Sequence, residues 1–268
     1  MSAIVGLSLY EQLKDALDRR EAVAVVTVVR GRNVGSKLLV LPAGAVGTLG
    51  DPVLDERAEA DARQMLLAER SETRSYAVAG EDTAVELFLE TFPPPPTLLI
   101  IGAVHVAQAL TRFAKGLGYT VIVADARAKL ATTERFPEAD QIIQAWPDDA
   151  LEQVTIEPST SIAILTHDPK FDEPALLGAL ATKARYVGAV GSRKTNQDRR
   201  QRLQDAGMTN DDLARIRGPI GLDIGAETPE EMAISILAEI IAARHGRDGG
   251  PLTEAEGRIR GTRDEDGV

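Results

Sequence analysis

Between residues 97 and 246, short apolar runs alternate with segments whose apolar positions recur every three to four residues. Leu98–Ile101 is a continuous apolar run that ends on Gly102 and passes at once into the amphipathic pattern of His105, Val106, Ala109 and Leu110. A second run, Thr120–Ala124, is followed by the carboxylate of Asp125. Continued along the chain, the same reading predicts strands at 97–102, 120–125, 141–144, 161–166 and 185–190, with helices at 104–117, 172–183 and 192–206. A last helix is bounded at both ends: Thr228 is suited to cap it, Pro229 takes the first helical position, acids fill the first turn and Gly246 stops it. Strands that alternate with helices predict an α/β unit, a parallel sheet with helices on both faces.

The earlier part has a different rhythm. A helix is expected at 9–20, a β-branched strand at 21–30, short glycine-punctuated strands at 37–41 and 45–49, a helix at 55–70, and strands at 73–78 and 84–90. Residues 1–92 therefore read as a smaller α+β domain. Pro93, Pro94, Pro95 and Pro96 cannot enter a helix or an inner strand and mark a stiff connector, 93–96, between the two domains. The polar segment 247–268 has little to bury and is expected to be disordered.

Strand, glycine turn, helix N-terminus, strand, acid is the opening order of a Rossmann-like unit. Such a turn favours anions, because free N–H groups and the helix dipole converge there. Asp125 is placed to accept hydrogen bonds from a ligand, facing it rather than a structural cation. The dinucleotide fingerprint, however, wants a second glycine at the position of Val104, a β-branched residue that tolerates a positive φ poorly.

Ligands of an open parallel sheet sit at the carboxyl ends of the strands. Thr166, His167 and Asp168 put a hydroxyl, an imidazole and a carboxylate at one such end, or are simply a helix cap before Pro169. Gly191, Ser192 and Arg193 give a turn, a capping hydroxyl and a cation, and Gly221 and Asp223 lie in a glycine-rich loop before the last helix. His105 is read as a ligand contact at the first turn, against the alternative of a residue packed at the helix start. His245 falls in a final helical turn, where its charge would complement the dipole.

Composition narrows the chemistry. A formal net charge of -11 and a pI near 4.9 argue against nucleic acid and anionic membranes as partners. The one basic cluster of note is Arg193 and Lys194 with Arg199, Arg200 and Arg202. The chain has no cysteine, which removes disulfides, thiolate zinc sites, iron–sulfur clusters and persulfide carriage. No metal site is expected from three scattered histidines, no catalytic residue is assigned, and no serine sits in a nucleophile elbow. No run reaches the roughly 18 apolar residues of a membrane span, and a cytoplasmic location is expected.

The strand-end loops, in this order, resemble the XdhC/CoxI family of xanthine dehydrogenase accessory proteins. Its Gly-Ala-Gly-His-Val-Ala appears here as Gly102–Ala107 with Val104 at the second glycine. Its Leu-Thr-His-Asp, Gly-Ser-Arg and Pro-Ile-Gly-Leu-Asp-Ile-Gly-Ala correspond to Leu165–Asp168, Gly191–Arg193 and Pro219–Ala226. In the first domain Gly35–Lys37 and Gly47–Gly50 are similar to family motifs, but Asp51-Pro52 replaces a more flexible continuation and brings a negative charge. The resemblance implies a non-catalytic factor that binds molybdenum cofactor and assists its sulfuration or insertion into a xanthine dehydrogenase or carbon monoxide dehydrogenase type hydroxylase. It also implies a cysteine desulfurase partner, since this chain lacks a thiol, and a homodimer. Gly102, Ala103 and His105 would meet the phosphate or pterin end, Asp125 would accept hydrogen bonds, and Ser192 and Arg193 would contact an anion. Two alternatives remain: an NAD(P)-dependent oxidoreductase using Asp125 and His167, and a ligand-free scaffold.

Overall fold

The computed structural model describes residues 8–78 and 84–255. It divides into two compact units, up to Pro95 and from Pro96.

The first unit is built on α1 (Leu9–Asp18), β1 (Val23–Arg30), β2 (Lys37–Leu41), β3 (Gly44–Gly47), α2 (Pro52–Ala68), β4 (Glu72–Tyr76) and β5 (Val85–Phe92). Its strands form an antiparallel sheet in the order β3-β2-β1-β5-β4. The alternation along β1 and β5 sends Ala24, Val26, Val28, Leu87 and Leu89 into a core closed by Leu54, Ala58, Ala62 and Met65 of α2. Val23, Leu39 and Phe92 pack with Ala16 of α1. Ser8 and Glu11 form a reciprocal cap that starts α1.

Asp51 and Pro52 form no stiffened loop. Asp51 is the N-cap of α2, with Oδ1 accepting from Val53 N at 2.9 Å and Leu54 N at 3.1 Å, and Pro52 occupies the first turn. Its charge is paired with Arg32 at 2.8 Å. The helix thus begins ahead of the expected 55, because an Asp-Pro pair is a good start signal.

The second unit contains β6 (Thr97–Ile101), α3 (His105–Gly116), β7 (Thr120–Ala124), β8 (Gln141–Ile143), α4 (Pro147–Glu152), β9 (Thr160–Ile164), α5 (Pro169–Leu180), β10 (Tyr186–Ala189), α6 (Arg193–Asp205), α7 (Asn210–Ala214), β11 (Ile216–Arg217) and α8 (Pro229–Arg244). A short 3-10 turn at Leu252–Glu254 falls within the stretch expected to be disordered; from residue 256 that expectation lies outside the described residues. The sheet order is β11-β10-β9-β6-β7-β8, all parallel. Counted from β6, this is the doubly wound order 3-2-1-4-5-6 of a Rossmann fold, and the direction of winding reverses between β6 and β9.

The central strands read as unbroken apolar runs because both faces are covered. On one face Leu98, Ile100, Val121 and Val123 meet α3 and α8. On the other, Leu99, Ile101, Ile162 and Ile164 meet α4, α5, α6 and α7. Strand β11 and helices α4 and α7 go beyond what the hydrophobic pattern predicts. At two, six and five residues they are too short to show a period.

Candidate functional site

The winding reversal puts the ends of β6 and β9 side by side, and there the backbone is crowded. Gly102 has φ +108°. A Cβ on it would sit 2.7 Å from Thr166 Cγ2 and 3.0 Å from Thr166 N. The next residue is anchored: Ala103 N donates to Asp125 Oδ2 at 2.8 Å. Val104 then caps α3 with φ -87° and ψ 179°. The expected conflict between a β-branched residue and a positive φ does not arise, because extended backbone suits valine. Val104 packs against the core instead.

The expectation that Asp125 faces a ligand rather than a structural cation is corrected by the structure. Arg127 grips the carboxylate with Nε at 2.9 Å and Nη2 at 2.7 Å, and Arg127 N adds a bond at 2.9 Å. Burial would raise the Asp125 pKa, but these bonds and that from Ala103 outweigh it and hold the group below the usual carboxylate value. The acid ties the glycine turn to the end of β7. The arginine it holds remains 46% exposed, lies 5.8 Å from the centre of the Phe171 ring, and Phe171 stacks on Trp146 at 4.6 Å with 13° between planes.

Thr166 is likewise turned inward. It is buried and its hydroxyl donates to Asp172 Oδ1. Asp172 pairs with Arg199 at 2.7 Å, and both side chains are buried. Arg199 also donates to Asn196 Oδ1 at 2.6 Å and Val190 O at 3.0 Å, while Asn196 donates to Gly191 O at 3.0 Å. This buried network joins the ends of β9 and β10 to α5 and α6, and sequence reasoning misses it. It also dissolves the expected basic cluster: Arg199 is in the core and Arg202 is paired with Glu173. His167 and Asp168 lie on the exposed rim, where Asp168 caps α5 by accepting from Lys170 N at 3.0 Å.

Beyond β10, Gly191 has φ +131°, and Ser192 caps α6 by accepting from Thr195 N at 3.0 Å. Arg193 heads that helix and, with Gly221, Asp223, Ile224 and Met232, lines a cavity of about 390 Å3. A half-buried clasp fixes its wall. Glu239 Oε2 accepts from Gly221 N at 2.7 Å and from the Tyr186 hydroxyl at 2.5 Å. Burial, then the Glu239 charge, push the Tyr186 pKa well above its ordinary value.

The expected residues therefore fall into four groups. Gly102, Ala103, Asp125 and Thr166 build the turn; His167, Asp168, Gly191 and Ser192 lie at the starts of α5 and α6; Arg193, Gly221 and Asp223 share a cavity; and His105, with Gln108, Arg112 and Glu138, lines a separate cavity of about 400 Å3. A larger cavity of about 550 Å3, lined by Arg185, Arg215, Arg217 and Arg247, contains none of them. Arg185 and Arg215 immediately precede β10 and β11, which sets that cavity toward the amino edge of the sheet.

Comparison with known proteins agrees with this architecture. A family model described as the XdhC Rossmann domain matches residues 98–240, and one described as the XdhC and CoxI family matches 16–77. The Escherichia coli protein YqeB, named as uncharacterized, is 30% identical over 242 residues, 85% of this chain and 44% of its own length. A Bacillus subtilis protein named as a probable subunit of xanthine dehydrogenase is 32% identical over 163 residues, 61% of this chain and 47% of its own. The E. coli molybdenum cofactor insertion chaperone PaoD is 29% identical over 153 residues, 57% of this chain and 42% of its own. The chain thus spans less than half the length of these relatives. A crystal structure described as a xanthine dehydrogenase from Bacillus halodurans has the same fold, with a TM-score of 0.52 at 21% identity, covering 93% of this chain and 98% of that one. With its Rossmann unit matched over residues 98–240 and its sheet wound in the Rossmann order, the chain belongs to the XdhC family.

Proposed function

We propose that the protein is an accessory factor that holds molybdenum cofactor at the carboxyl edge of its Rossmann unit and assists its insertion into a xanthine dehydrogenase type hydroxylase. The observation that carries this reading is the cavity where Arg193, Gly221 and Asp223 meet, in a chain related to a molybdenum cofactor insertion chaperone. Its volume suits a pterin-sized ligand. Its polar groups fit as well: a guanidinium for phosphate and a carboxylate for ring N–H donors. When bound, the cofactor supplies the molybdenum centre; this chain supplies binding and shelter. Arg193 would meet the phosphate, Asp223 the ring nitrogens, and Ile224, 54% exposed, would cover an apolar edge.

Sulfuration fits the same scheme as a partner's work. With no cysteine in the chain, the persulfide must come from a separate desulfurase. Clients of carbon monoxide dehydrogenase type, a homodimeric assembly and a cytoplasmic setting belong to the proposal too. Among the described residues no helix is long and apolar enough to cross a membrane.

Purification from a molybdenum-replete host, followed by metal analysis and pterin fluorescence, tests the reading. Molybdenum and pterin are expected in near-equal amounts, and an Arg193→Ala/Asp223→Ala variant that folds normally should lose both. Protein that is free of pterin, and takes none up from a donor, would overturn it.

A further inference from the structure

We infer that Trp146, stacked on Phe171 beside Arg127, is the platform on which a phosphate-bearing planar nitrogen heterocycle lies at the β7–β8 side of the carboxyl edge. This site is separate from the cavity at Arg193 and goes beyond the cofactor reading: its ligand is a second one, recognised by this chemistry alone.

The platform is assembled from three separate strand-end segments. Arg127 follows β7, Trp146 stands between β8 and α4, and Phe171 sits in the first turn of α5. Phe171 covers one face of the indole at 4.6 Å with the rings 13° apart, yet Trp146 is 49% exposed. The opposite face is therefore open to solvent. An open indole face on a rigid base is costly in water and is a strong stacking surface for flat, electron-poor rings. Trp146 also makes no side-chain hydrogen bond as N-cap of α4, so capping does not explain its presence.

Arg127 makes the site selective. Two of its nitrogens hold Asp125, which fixes the guanidinium plane, and Nη1 makes no hydrogen bond among the described residues. With 46% of the side chain exposed, it can offer that nitrogen to an anion without releasing Asp125. The site is continuous with the glycine turn, because Asp125 holds both Arg127 and Ala103 N. A ring on Trp146 and a phosphate at Arg127 would thus lie one carboxylate away from the N-terminus of α3. Two sources carry this chemistry: a phosphorylated pterin and a nucleoside monophosphate.

Trp146 is the only tryptophan of the chain, so its emission reports on this site alone. Intact protein is titrated with neopterin monophosphate, AMP and CMP, with ribose 5-phosphate as the ringless control, after correction for ligand absorption. Saturable quenching is expected from the pterin phosphate or from the nucleotides, and which of them quenches identifies the source. By calorimetry, Trp146→Ala should bind that ligand about tenfold or more weakly, while Trp146→Phe, which keeps an aromatic face, should stay within a few-fold of the native protein. No saturation by any ring, or equal quenching by ribose 5-phosphate, overturns the platform. Cofactor-free protein that still binds these rings would overturn the proposed function and leave the platform standing.

Discussion

Replacing Gly102 by alanine would place a methyl group 2.7 Å from Thr166 Cγ2 on a backbone at φ +108°. Both strain and overpacking act, and the loss should be on the order of 3 kcal/mol, read as a lower melting temperature. Asp125→Asn should also destabilise, because a buried carboxylate held by Arg127 and Ala103 N is replaced by a weaker acceptor. The pH dependence has a definite sign. Since the folded-state pKa lies below the ordinary value, the stabilisation is present above about pH 4 and is lost as pH falls through the depressed value. Melting curves of the native and Asn proteins should therefore differ most at pH 7, and the gap should narrow as pH falls below about 4; a gap that does not narrow at all in acid would rule out this account. The importance of Gly102 and Asp125 was legible in the sequence from strand, turn and acid in order. That Asp125 serves an arginine two residues away was not, since the same spacing also fits an acid facing a ligand.

At the level of elements, what holds the carboxyl edge in place is the buried contact of α5 with α6. Asp172 and Arg199 pair with both side chains buried, and removing one partner strands the other charge. Asp172→Leu or Arg199→Met alone should cost about 3–5 kcal/mol, and the double replacement clearly less than their sum. A double-mutant cycle by urea unfolding measures this, and additive losses would show that the pair is not coupled. The strands of this unit were readable because runs such as Leu98–Ile101 are apolar throughout, and α8 because Thr228, Pro229 and Gly246 bracket it. The network was unreadable for a physical reason: Arg199 sits in a run of arginines that looks solvated, and its partner is 27 residues away. Asp51-Pro52 misled in the same manner. A capping acid and a loop acid are identical until the helix behind them is seen.

For the whole molecule, the chain divides into two compact units between Pro95 and Pro96, and each has its own core. A fragment of residues 96–268 should fold alone and melt in one cooperative transition; a fragment without near-ultraviolet dichroism would show that it needs the first unit. The acidic net charge of -11 gives the expected client complex a salt dependence, so pull-down of an apo-hydroxylase should weaken between low and high salt. The Gly221 amide, in a half-buried stretch of its loop, is locked to the carboxylate that also holds Tyr186. Its proton should exchange with deuterated water far more slowly than that of exposed Asp223, because exchange must wait until strand, loop and helix part together. That single amide is a clock for the opening of the cavity wall, and a ligand that seals the cavity should slow it further.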